Sequence, residues 1–134
     1  MSTWQNEQVE TAVLRALAAV PMVRDEASQN HHFGRPYLSA YQLALVLRER
    51  EPELVNRLGK PMGGADSGEE YSLPGYLAGQ LSRWIKRADA TCPIEGAFLA
   101  RRDVVAISFR DGTAPLAATF QDAYSLSLFR LREE

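Results

Sequence analysis

FGRPYLSAYQLALVLRER, running from Phe33 to Arg50, carries the chain's clearest local instructions. Ser39 and Gln42 have the spacing of a capping box, in which each side chain pairs a backbone N–H that the first helical turn leaves open, so a helix is predicted to begin at this point. Leu38, just before the cap, and Leu43, four positions after it, form the pair of a hydrophobic staple. From Ala40 to Leu47 the polar groups are confined to Gln42 and the Tyr41 hydroxyl, and a helix apolar on nearly all sides is normally buried. The stretch therefore predicts the central helix. Ahead of it, Phe33, Arg35 and Tyr37 either seal the core or line a pocket.

On the N-terminal side, Val9, Val13, Ala16, Leu17 and Val20 fall at i, i+4, i+7, i+8 and i+11, the apolar stripe of an amphipathic helix. Asn6 is its expected cap, Glu7 and Glu10 suit the positive end of its dipole, and Pro21 is its expected stop. Residues 21–36 hold breakers at both ends and no sustained period, which reads as a loop. On the C-terminal side, Pro52 removes a helical donor and disfavours helix at Glu51, then can open a new turn with Leu54, Val55 and Leu58 buried and Gly59 as the stop. A kinked helix pair is expected.

Residues 59–70 are rich in glycine and read as an exposed loop. Lys60 beside Gly59 does not make a phosphate-binding loop, because Pro61 follows it and a helix, not a strand, precedes it. Ser72 caps a third main helix whose apolar face is Leu73, Leu77, Leu81, Trp84, Ile85 and Ala88, with Pro74 tolerated in the first turn. Its outward face carries Gly75, Gly79, Ser82, Arg83 and Lys86, flanked by Gln80 and Arg87. Small residues among basic ones suit the approach of a polyanion, and equally suit close packing by another helix.

Beyond Cys92 and Pro93 the pattern changes to strands. Val104 to Phe109 is β-branched and aromatic, Asp111-Gly112 is a hairpin turn signal, and Leu116 to Phe120 forms the returning arm. Tyr124 to Leu131 begins with strict alternation and predicts a further C-terminal strand. Ile94 to Leu99 fits a short strand or a helical turn. The expected fold class is α+β in a single domain over 1–134, with a helical part at about 6–88 and a β-rich part at about 94–131.

The 134 residues carry a net charge of −2, which excludes a generally basic coat for nucleic acid. The charge is uneven. Arg83, Lys86, Arg87, Arg101 and Arg102 against Asp89 and Glu95 leave residues 72–102 at +3 and the remainder at −5. That segment is a candidate anion-binding face, or equally the ordinary decoration of a solvated helix. No apolar run has the length of a membrane span, no signal-peptide pattern opens the chain, and the lone Cys92 suits a reducing compartment, so a cytoplasmic protein without membrane partners is expected.

Chemistry is sparse. His31 and His32 are adjacent and lack the further ligands that a zinc site needs, and Cys92 has no local base. Asp66, Glu69 and Glu70 sit in the glycine-rich loop, where acidity serves solubility. No catalytic constellation, metal site or cofactor is expected.

The order helix, helix, helix, hairpin resembles the winged helix-turn-helix superfamily over roughly residues 7–120. The resemblance implies that the third main helix enters the major groove with Gln80, Arg83, Lys86 and Arg87, while Arg101, Arg102 and Arg110 assist near the wing. Segment 51–71 replaces the short turn that usually joins the second and third helices. Three functions follow as expectations: a non-enzymatic winged-helix-like module binding duplex DNA; an accessory or assembly protein acting through protein partners or self-association; and an enzyme pocket built on His31, His32, Arg35 and Tyr37.

Overall fold

The computed structural model describes residues 4, 8–20, 34–63, 72–117 and 126–132. It is an α+β fold. The N-terminal helix, α1, spans Val9–Ala18 and buries Val9, Ala12, Val13, Ala16 and Leu17. The expected cap Asn6 and the expected first-turn Glu7 lie outside the described residues. Gln8 holds the N-cap position in a left-handed conformation without a side-chain cap, and the helix ends before Val20.

Leu38–Ser39 forms a short strand, β1, and Ala40–Arg50 forms α2. The capping box is complete: the Gln42 N–H donates to Ser39 Oγ, and the Ser39 N–H donates to Gln42 Oε1 at 2.8 Å. Ala40, Leu43, Ala44 and Leu47 enter the main core, while Tyr41 turns to a second, smaller cluster. Pro52 opens α3, Pro52–Leu58, and Gly59 closes it at φ 65°, a conformation that favours glycine. The predicted kinked pair is thus α2 followed by α3.

Ser72 caps α4, Leu73–Ala88, by accepting the Gly75 N–H at 3.2 Å. A 3-10 turn, Asp89–Thr91, leads to β2, Ile94–Phe98, so this stretch is a strand rather than a helical turn. The Asp111-Gly112 signal is correct: β3, Ser108–Asp111, pairs with β4, Ala114–Ala117, across Gly112 at φ 64°. The first arm is shorter than its composition predicts. Val104 to Ile107 stays out of the strand after a turn at Asp103, whose φ is 64°. Residues 118–120 of the returning arm, and Tyr124 and Ser125 of the last strand, lie outside the described residues.

The final strand, β5, Ser127–Leu131, does not extend the hairpin. It runs antiparallel between β1 and β2, in the order β1-β5-β2, while β3 and β4 form a separate two-stranded sheet. Register explains the choice of face. Phe129 stands opposite Leu38 on one side and Gly96 on the other, and Leu131 opposite Ile94, so the apolar residues share the face that meets the helices. The hairpin docks instead on α2, where Tyr41 and Phe109 stack with ring centroids 5.8 Å apart and Arg48 pairs with Asp111. Among the described residues no helix is long and apolar enough to cross a membrane.

Leu43, Leu47, Leu77, Leu81 and Ile94 are fully buried in one cluster shared by helices and sheet. Leu47→Ala is expected to cost about 2–5 kcal/mol through the forfeited transfer energy and a residual cavity. Urea denaturation that leaves the midpoint unchanged would contradict this placement.

Candidate binding surface

α4 divides into a covered half and an open half. In the first half Leu73, Pro74, Leu77, Ala78 and Gly79 are buried. The Leu73 N–H donates to the Pro61 carbonyl at 2.7 Å, the Lys60 ammonium lies 4.8 Å from the centre of the Tyr76 ring, and Trp4 meets both Tyr76 and Trp84 edge to face. In the second half Arg83, Lys86 and Arg87 are exposed. At about 100° per residue they occupy one sector of roughly 100°, opposite Leu77, Leu81 and Ile85. Gln80 is half-buried beside them.

The two helix glycines do not leave the open surface expected of them. A Cβ on Gly79 would meet Arg83 Nη1 at 3.4 Å, because the guanidinium folds back along its own helix. A Cβ on Gly75 would meet the capping Ser72 Oγ at 3.3 Å. Among the described residues neither fronts another helix. Burial raises the Tyr76 pKa above the phenol value of 10.0, with the nearby Arg83 charge acting weakly in the other direction.

The remaining basic candidates are dispersed. Arg101 and Arg102 follow β2 and are exposed, and Arg102 pairs with its neighbour Asp103 at 3.4 Å. Arg110 lies on the outer face of β3, since Phe109 and Asp111 alternate inward to α2. The hairpin grips α2 at Tyr41, Leu45 and Arg48, about 150° around the helix from the Leu43–Leu47 face that joins the core with α4. The structure thus brings Arg83, Lys86 and Arg87 together and leaves Arg110 with a different surface.

Arg35 and Tyr37 serve the fold rather than an open pocket. The Arg35 guanidinium donates to the carbonyls of Ala18 and Val20, fastening this lead-in to the end of α1. Tyr37 lies 4.4 Å beneath the guanidinium of Arg130, which also donates to Glu95 and, at 2.9 Å, to the Arg35 carbonyl. Phe33, His31, His32, Asp66, Glu69 and Glu70 lie outside the described residues. Among the described residues no three His, Cys, Asp or Glu side chains gather where a metal ion would sit.

A feature absent from the one-dimensional pattern lies beside the basic stripe. Where α4 and the sheet diverge they leave a groove of about 300 Å³, walled by Ile85 and Lys86 of α4, Gly96 and Phe98 of β2, and Ser127 and Phe129 of β5. Three elements distant in sequence build it, so no local spacing announces it. Phe98 is 67% exposed at its mouth. Comparisons with family models, with curated proteins and with solved structures return no match.

Two outcomes test these assignments. Arg130→Met keeps the stem over Tyr37 but removes the charged donors, and is expected to cost about 1.5–3 kcal/mol in denaturant unfolding; a change within the scatter of surface substitutions would show that the network is idle. Tyr76→Phe removes a buried hydroxyl that has no hydrogen-bond partner among the described residues, and is expected to be neutral or stabilising near neutral pH. Because the fold favours the protonated phenol, its share of stability is intact below 10.0 and lost as pH rises through the raised folded value. The phenylalanine variant should therefore resist alkaline unfolding better than the parent, followed by circular dichroism against pH.

Proposed function

We propose that the chain is a non-enzymatic, winged-helix-like binding module of the cytoplasm that holds duplex DNA through phosphate contacts from the open half of α4. One observation carries the reading: Arg83, Lys86 and Arg87 are exposed in one sector of the last helix. The topology is compatible with it, because β2 follows that helix and pairs with β5, so that the excursion between them in chain order, which carries β3 and β4, takes the place of a wing. The β3–β4 hairpin within that excursion lies against α2 instead of reaching outward.

The covered half of α4 shapes the mode of binding. Helix-turn-helix proteins read base edges with the N-terminal residues of the recognition helix. Here those residues face Pro61, Lys60 and Trp4. Contacts from the other end neutralise phosphates and carry no base information, so binding is tolerant of sequence. Gln80, half-buried at the junction, offers its amide to a phosphate oxygen.

A salt series on a labelled duplex, read by anisotropy, tests the proposal. Affinity should fall linearly on logarithmic axes, and replacing Arg83, Lys86 and Arg87 by glutamine should make the slope shallower by about 0.9 for each phosphate that is no longer neutralised. Binding should change little between duplexes of unrelated sequence. Absence of binding at low salt, or a slope that the triple replacement does not alter, removes DNA from the account.

A further inference from the structure

We propose that the edge of β2 turned away from β5, together with the groove beneath it, is a docking site for an extended segment of a partner protein, in which an apolar residue fills the groove and an acidic residue on the same face of the segment meets Lys86. This goes beyond the duplex reading and shares only Lys86 with it.

The hydrogen-bonding edge can be assigned from the ladder. The Arg132 N–H donates to the Pro93 carbonyl at 2.8 Å, and the Leu99 N–H donates to the Leu126 carbonyl at 3.0 Å. Bonded pairs alternate along an antiparallel ladder. Residues 93, 95, 97 and 99 therefore turn their backbone groups to β5, and Ile94, Gly96 and Phe98 direct theirs to the opposite side. Among the described residues β2 has no strand on that side, and Gly96, Ala97 and Phe98 are exposed. Such an edge is a template for one more strand.

The same alternation aims side chains. Gly96 and Phe98 lie on the face that meets α4 and line the groove. A strand bonded to Gly96 places the residue opposite it on that face, over the groove. Gly96 keeps the space clear: a Cβ there would come within 3.2 Å of Ile85 Cδ1 and 3.6 Å of Phe129 Cδ1.

Two further features select the occupant. Ser127 is 2% exposed and lines the groove, and its Oγ has no hydrogen-bond partner among the described residues, although buried polar atoms are normally paired. An incoming main chain or polar side chain would supply one. Lys86 gives the wall a positive charge, while the rest of the lining is mostly apolar. Charge complementarity therefore selects a segment that carries an acidic residue two positions from the apolar one, on the same face of the strand. A second copy of this chain fits less well, because β2 would bring its own Lys86 against the same residue.

The test uses the full chain and a fluorescent peptide in which valine and glutamate take turns at every second position, with threonine between them, so that both lie on one face of the strand. Titration should shift the amide resonances of Gly96 and Phe98, and the same peptide with lysine in place of glutamate should not bind. Phe98→Pro removes an N–H that points away from β5, a position where an edge strand tolerates proline, and should weaken the acidic peptide about tenfold with little change in melting temperature. Lys86→Glu, on an exposed helix face, should weaken it similarly and should fold whatever the fate of the proline variant. Replacing Arg83 by glutamine, which weakens the duplex contact, should leave the peptide affinity unchanged. Unshifted edge amides with wild-type chain overturn the proposal. So does equal binding of both peptides, or a concentration-dependent dimer, seen by light scattering, that Phe98→Pro dissolves while the peptide fails to bind.

Discussion

Phe129 is the residue at which the separately encoded parts of the chain meet. It is buried, faces Leu38 across one side of β5 and Gly96 across the other, and its ring lies close enough that a Cβ added at Gly96 would touch it at 3.6 Å while crowding Ile85. The last strand thus closes the sheet between two strands encoded far apart, and the sheet in turn closes the main core under α2 and α4. Pairing of this kind is slow to find, because its loop-closure entropy is given up before the non-local packing forms. The outer face of the same strand repeats the closure in polar form, where Arg130 joins Tyr37, Arg35 and Glu95.

Local instructions and closure differ in how far a sequence shows them. The capping box at Ser39 and Gln42, the break at Pro52, the cap at Ser72 and the turn at Gly112 are all legible, because each is settled by neighbours within a few residues. The α+β class follows from their sum. β1 is hidden because its two residues are the same Leu38 and Ser39 that read as staple and cap. The order β1-β5-β2 is hidden because alternation tells which side of a strand is apolar and not which strand it will join.

The candidate surface divides along the same line. A helical period of 3.6 is enough to put Arg83, Lys86 and Arg87 on one side of α4. It is not enough to show that Arg83 lies back over Gly79, that Pro61 and Lys60 cover the first half of the helix, or that Arg110 belongs with the hairpin on α2. Those facts depend on long side chains and on loops whose paths no period records. The groove between α4 and the sheet is of the same kind, since it exists only once β2 and β5 are paired.

Lys86 joins the two surfaces. It belongs to the cationic sector of α4 and also walls the groove at the edge of β2. A phosphate backbone and an acidic strand would each seek that ammonium, and a compact point charge on a flexible stem can serve either but not both at close range. If both ligands are held, each must therefore weaken the other by the same factor, because linkage between two binding equilibria is reciprocal. A module built this way would release its duplex when the acidic segment docks, without any change of fold. The coupling would reside in one shared cation rather than in a moving element.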